Sequence, residues 1–186
     1  MKKGLIIAAA MILAVCLGVG GTLAYLFVTS GPVVNTFSPS NITLDLKETT
    51  TDYQMIPGKD IAKDPKVTAS ADVPFYVFVK VDKTTAPDAD TYLEYTISSE
   101  WTPLEGVTGV YYKSVDSAKG GALTDVPVLT NNKVTTREEI TKEQMKALKD
   151  SGNYPKLTFT AYAIQKDGFD TAAAAWTQLK TQYTIQ

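Results

Sequence analysis

Phe75-Tyr-Val-Phe-Val-Lys-Val81 is the stretch on which the fold turns. Side chains alternate across a strand, so Phe75, Val77, Val79 and Val81 share one face while Tyr76, Phe78 and Lys80 share the other. A strand at the surface shows one apolar face. Two largely apolar faces predict a central strand covered on both sides, at least in part. The mix of β-branched and aromatic residues suits that state.

Upstream, Asp72-Val73-Pro74 separates this strand from a modest one at Lys66-Val-Thr-Ala-Ser-Ala71. Asn41-Ile-Thr-Leu-Asp-Leu-Lys47 alternates strictly, with Ile42, Leu44 and Leu46 against Thr43, Asp45 and Lys47, and predicts a half-buried strand. Glu48 to Asp64 reads as a polar connection whose Pro57-Gly58 favours a type II turn. Downstream, Tyr92-Leu-Glu-Tyr-Thr-Ile97 resumes alternation, and Val107 to Val115 returns from a hairpin near Glu105-Gly106. A turn over Asp116 to Gly121 follows, then short strands at 126–129 and 133–136. Ile140 to Lys149 predicts a helix, with Thr141 and Gln144 as a capping box and Gly152 as its stop. Lys156-Leu-Thr-Phe-Thr-Ala-Tyr-Ala-Ile-Gln165 is again a strand, placing Leu157, Phe159, Ala161 and Ala163 on one side. Thr171 then caps a short helix to Lys180 that turns Trp176 and Leu179 toward the core. The whole is mainly β: an antiparallel sandwich with one or two short helices.

The first 24 residues read differently. Lys2 and Lys3 precede an apolar run from Leu5 to Leu17, which Gly18, Gly20 and Gly21 break before Thr22-Leu23-Ala24. A charged start, a short apolar stretch and small residues at a cut site make a secretory signal peptide. Cleavage between Ala24 and Tyr25 is expected. Two other outcomes stay open: an uncut helix from Leu5 to Val28, long enough to span a bilayer, and lipid attachment at Cys16. Residues 25–40 form an uncharged, apolar segment bearing Leu26, Phe27, Val28, Val33, Val34 and Phe37. Residues 41–186 are the sandwich domain, a size that suits a single core.

Composition excludes several chemistries. The chain has no histidine, which removes Ser-His and Cys-His nucleophile activation and the commonest zinc ligand. Its one cysteine lies in the signal segment, so the exported domain holds no internal disulfide. A formal net charge of −2, without any basic run, argues against nucleic acid. Asp82, Asp88 and Asp90 are candidate oxygen ligands for calcium, although the spacing lacks the glycine and terminal glutamate of a helix-loop-helix site. Glu138 and Glu139 are neighbours that do not face each other on a helix. Trp101, Tyr111 and Tyr112 are candidates for a stacking platform or, as aromatics in a sandwich, for core. Ser98-Ser99 has no partner that would make a nucleophile. The domain is expected not to be an enzyme and to need no cofactor.

Several short motifs then converge. Gly20-Gly-Thr-Leu-Ala-Tyr25 is similar to signal peptides cut by the SipW-type peptidase. With Asn35-Thr-Phe37, Asn41 to Lys47, Ile56-Pro-Gly-Lys59, Gly109-Val-Tyr-Tyr112, Ala161 to Gln165, Asp167-Gly-Phe169 and Ala175-Trp176, the chain resembles the TasA/camelysin family of Gram-positive exported proteins. The resemblance implies a jelly-roll sandwich, secreted to the cell surface or biofilm matrix. It also implies self-association into fibres, in which the N-terminal segment of one subunit becomes a strand in its neighbour. Where relatives carry acidic residues just after the cut, this chain has Leu26-Phe-Val-Thr-Ser-Gly-Pro-Val33. The expected function is a structural fibre subunit whose assembly strand carries Leu26, Phe27, Val28, Val33, Val34 and Phe37. The alternative is a membrane-anchored extracellular binding module that keeps its N-terminal helix.

Overall fold

The computed structural model describes residues 41–50, 53–183 and 185. The expected signal peptide, its cut site at Ala24 and Tyr25, and the assembly-strand residues Leu26, Phe27, Val28, Val33, Val34 and Phe37 therefore lie outside the described residues. Among those described, no helix is long and apolar enough to cross a membrane.

The described residues are mainly β, with three antiparallel sheets. The first contains β1 (Ile42–Lys47), β3 (Lys66–Ala71) and β8 (Gly121–Pro127), in the order β1-β3-β8. The second contains β4 (Phe75–Lys83), β6 (Thr102–Pro103), β7 (Val110–Val115) and β10 (Leu157–Gln165), in the order β10-β4-β7-β6. A small third sheet joins β2 (Asp60–Ala62), β9 (Lys133–Thr136) and β5 (Leu93–Glu94), with β9 in the middle.

The apolar faces of the first two sheets form the main core. Val67 of β3 and Phe75, Val77 and Val79 of β4 are fully buried there, with Trp101, Leu123 and Val126 around them. The opposite face of β4 is covered too. Tyr76 and Phe78 pack with Trp176 and Leu179 of the helix α3 (Ala172–Tyr183), and the Phe78 and Trp176 rings lie 5.3 Å apart. Each large side chain so buried stabilises the fold by about 1.5 to 3 kcal/mol. The two-sided coverage of Phe75 to Val81 thus has a cause: a partner sheet on one face and an aromatic-lined helix on the other.

Strand pairing is nested: β3 pairs with β8 while the next strand, β4, pairs with β7, the next one back. This is a long hairpin folded across two sheets, as in a jelly roll. Both arms change sheet at one corner, through Asp72-Val73-Pro74 on one side and residues 116–120 on the other. Gly120 makes the crossing possible. It has φ +70°, and a Cβ there would collide with the carbonyl of Ala71.

Helix α2 (Lys142–Ser151) ends as its sequence predicts. Thr141 accepts from the Gln144 N–H, and Gln144 Oε1 accepts from the Thr141 N–H, a reciprocal cap, while Gly152 closes the last turn. It covers the third core cluster with Leu148, beside Leu93, Leu129, Val134 and Ile140.

Three segments differ from the sequence reading. Tyr92 to Ile97 is not one strand: Asp88 caps a helical turn, α1 (Ala89–Tyr92), that consumes Tyr92, leaving only the two residues of β5 in a ladder. The polar connection from Glu48 to Asp64 contains β2, which follows a turn closed by Lys59 N–H to Ile56 O at 3.0 Å. Strand β8 begins at Gly121, not Val126. A bulge between its pairings with Val67 and Ala69 puts Leu123 and Val126 on the same face at a spacing of three, which hides the alternation.

Candidate functional site

Among the described residues, β1 is hydrogen-bonded only to β3 and β10 only to β4, so the second edge of each has no described partner. The two edges face each other, with Cα atoms of β1 and β10 approaching within 8 Å, yet no ladder joins them. Ile42 and Leu44 line one cavity with Ala161 and Ala163, and Leu46 lines another with Leu157 and Phe159, so the strands run antiparallel.

Side chains along this seam are unfinished core. Ile42, Leu44 and Leu46 from β1, and Leu157, Phe159, Ala161 and Ala163 from β10, all point into the main cluster, but every one is only half-buried. Neighbours one strand further in, Val67 and Val79, are fully buried. At one end the small side chains of Ala161 and Ala163 leave a cavity of about 380 Å³ beside Ile42, Leu44 and Tyr183. At the other end the seam widens into a cavity of about 870 Å³ lined by Leu46, Glu48, Lys63, Asp64, Leu157 and Phe159.

The wide end is polar but tightly paired. Lys63 Nζ lies 2.6 Å from Glu48 Oε1, and the Tyr53 hydroxyl donates to the same oxygen at 2.6 Å. The ammonium sits 4.9 Å from the Tyr53 ring centroid and 5.3 Å from that of Phe159. Burial, reinforced by the hydrogen bond to Glu48, pushes the Tyr53 phenol well above its ordinary value. Asp64 is held below the usual carboxylate range by the backbone N–H and hydroxyl of Thr49, its two largest causes. Nothing in the sequence singles out Lys63 or Glu48, which come from what reads as one polar connection.

The other sequence candidates are not brought together. Trp101 is buried in the main core with its indole N–H on the Pro127 carbonyl at 2.9 Å. Tyr111 packs on that side of the second sheet and Tyr112 on the opposite side, so the three form no platform. Asp82 pairs with Lys80, Asp90 with Lys83, and Asp88 caps α1. Ser98 Oγ accepts from the Glu100 N–H, and Glu138 and Glu139 are solvent-exposed. Among the described residues no group of three or more acidic, histidine or cysteine side chains is placed to hold a metal ion.

The chain matches no protein-family model, no curated protein and no solved structure.

Proposed function

We propose that this chain is an exported structural subunit that polymerises, the uncharged N-terminal segment of one copy filling the β1/β10 seam of the next. The observation that carries this reading is the seam itself. Among the described residues the outer edges of β1 and β10 have no ladder partner and flank half-buried Ile42, Leu44, Leu46 and Phe159, and such a slot accepts an added strand through backbone hydrogen bonds and alternate side-chain pockets. Residues 25–37 carry no charge and six large apolar side chains, the chemistry that the slot lacks. Strands lie about 4.8 Å apart, so a strand inserted between β1 and β10 holds them about 9.6 Å apart and widens the seam. Donation from copy to copy is a head-to-tail contact that does not close on itself, and repeats into a fibre. Electron microscopy of the purified secreted chain tests it: fibres are expected, and a uniformly monomeric preparation at high concentration contradicts the reading.

A further inference from the structure

Among the described residues Lys63 is the one charged residue that is buried, with 9% of its surface exposed. It extends the pairing of β2 with β9 by one position. After Asp60 opposite Thr135, Ile61 opposite Val134 and Ala62 opposite Lys133, the Lys63 N–H donates to the Asn132 carbonyl at 2.9 Å. Lys63 and Asn132 therefore stand opposite each other. Side chains alternate along a strand, so this pair shares the inner face with Ile61 and Val134, and Lys63 lines one cavity with those two. Directly opposed residues hold their Cβ atoms about 4.5 to 5.5 Å apart, within reach of a lysine side chain. Asn132 Oδ1 is buried and has no hydrogen-bond partner among the described residues, a state that calls for an explanation. Asn131 and Asn132 also hold left-handed φ angles of 56° and 50°, a strained turn of the kind that collects at functional sites.

We infer that Lys63 Nζ and Asn132 Cγ join in an intramolecular amide, an isopeptide bond, with Glu48 as the proton carrier. Glu48 Oε1 lies 2.6 Å from Nζ, and the Tyr53 hydroxyl holds that oxygen by donating to it at 2.6 Å. The Tyr53 and Phe159 rings, with centroids 4.9 and 5.3 Å from Nζ, shield the nitrogen. Passing a proton from ammonium to carboxylate removes two charges at once from a site poor in water and leaves a lone pair on Nζ. Nζ then attacks Cγ, and protonated Glu48 is the donor that Oδ1 lacks as negative charge gathers there. The Cγ–Nδ2 bond breaks. Nζ sheds two protons in all; Glu48 relays both to Nδ2, which departs as ammonium, and Glu48 ends as a carboxylate. No oxidant or cofactor is consumed. The bond fastens β2 to β9 across a long stretch of chain, a constraint that a disulfide cannot supply here because the single cysteine is Cys16. It is independent of fibre assembly.

Intact-mass spectrometry of the folded full chain tests this. The expected mass is about 17 Da below that of the sequence, the loss of one ammonia. Lys63→Arg, Asn132→Ala and Glu48→Gln should each restore the full mass. A proteolytic digest should give a branched peptide carrying both Lys63 and Asn132. The full sequence mass in the folded native chain overturns the inference, and does so even where a variant fails to fold. Cyclisation of Asn132 alone also loses ammonia, but it survives Lys63→Arg and gives no branched peptide; that result overturns the inference too. So does a loss of about 18 Da with the branch at Glu48, which would mark direct condensation of Lys63 with its ion-pair partner.

Discussion

Lys63 and Glu48, fifteen residues apart, meet at 2.6 Å with 11% and 17% of their side chains exposed, and so tie the end of β1 to the approach to β3 at the wide mouth of the seam. A pair this far from water is sensitive to the loss of one member, because the survivor keeps its desolvation penalty. Glu48→Gln is therefore expected to destabilise the domain by about 3 kcal/mol, and Glu48→Leu with Lys63→Met by much less. Urea unfolding of the three chains checks it. Equal losses for the single and double variants would mean that the site contributes packing, not charge pairing.

At the corner where the hairpin changes sheet, Gly120→Ala forces a left-handed φ and drives a methyl group into the Ala71 carbonyl. A loss of about 3 kcal/mol is expected. Gly106 has a similar φ of +73° with nothing within 4 Å, so Gly106→Ala should lose only about 1 kcal/mol. Thermal melts of both separate collision from backbone strain; similar shifts in the two would contradict this account of the corner.

Acid should weaken the domain below about pH 4. Asp60, Asp64 and Asp116 are each held below the ordinary value of 3.8, by Lys133 and Thr135, by Thr49, and by Lys166 and Ser114 respectively. A carboxylate with a lowered folded pKa adds stability that is complete above its unfolded value and disappears as pH falls through the folded one. Asp64→Asn should flatten this acid limb. At the alkaline end the sign reverses: Tyr53 stays protonated in the fold, so stability declines as pH rises past 10.0, its ordinary value, and Tyr53→Phe should reduce that slope. Unfolding free energy measured from pH 2 to 11 tests both limbs.

Processing gives another expected outcome. Thr22-Leu23-Ala24 ends a glycine-broken apolar run, so mass spectrometry of the extracellular fraction should find a chain beginning at Tyr25. Full-length chain confined to membranes, or lipid on Cys16, would be the contrary result.

Much of the scaffold was legible because local signals agreed with tertiary demands. Phe75 to Val81 announces coverage on both faces, and Thr141 with Gln144 and Gly152 delimits α2, since a cap depends on residues within one turn. Legibility failed where a local signal competed with another or where alternation was broken. Asp88 drew Tyr92 into a helical turn, and the bulge in β8 put Leu123 and Val126 in phase at an odd spacing. The seam was legible only in half. Ile42, Leu44 and Leu46 read as a half-buried face, but that the neighbouring edge belongs to β10 and is lined by Ala161 and Ala163 depends on the β10–β4 pairing, between residues 74 to 90 positions apart. Lys63 and Glu48 carry no sequence mark of their meeting.

Deleting residues 25–34 tests the assembly account most directly. The deletion removes Leu26, Phe27, Val28, Val33 and Val34 and leaves every described strand untouched. Size-exclusion chromatography, circular dichroism and electron microscopy of the truncated and complete secreted chains are compared side by side. The account predicts fibres from the complete chain and a folded, soluble monomer without fibres from the truncated one. Unchanged fibres after the deletion, or a truncated domain that unfolds, would contradict it.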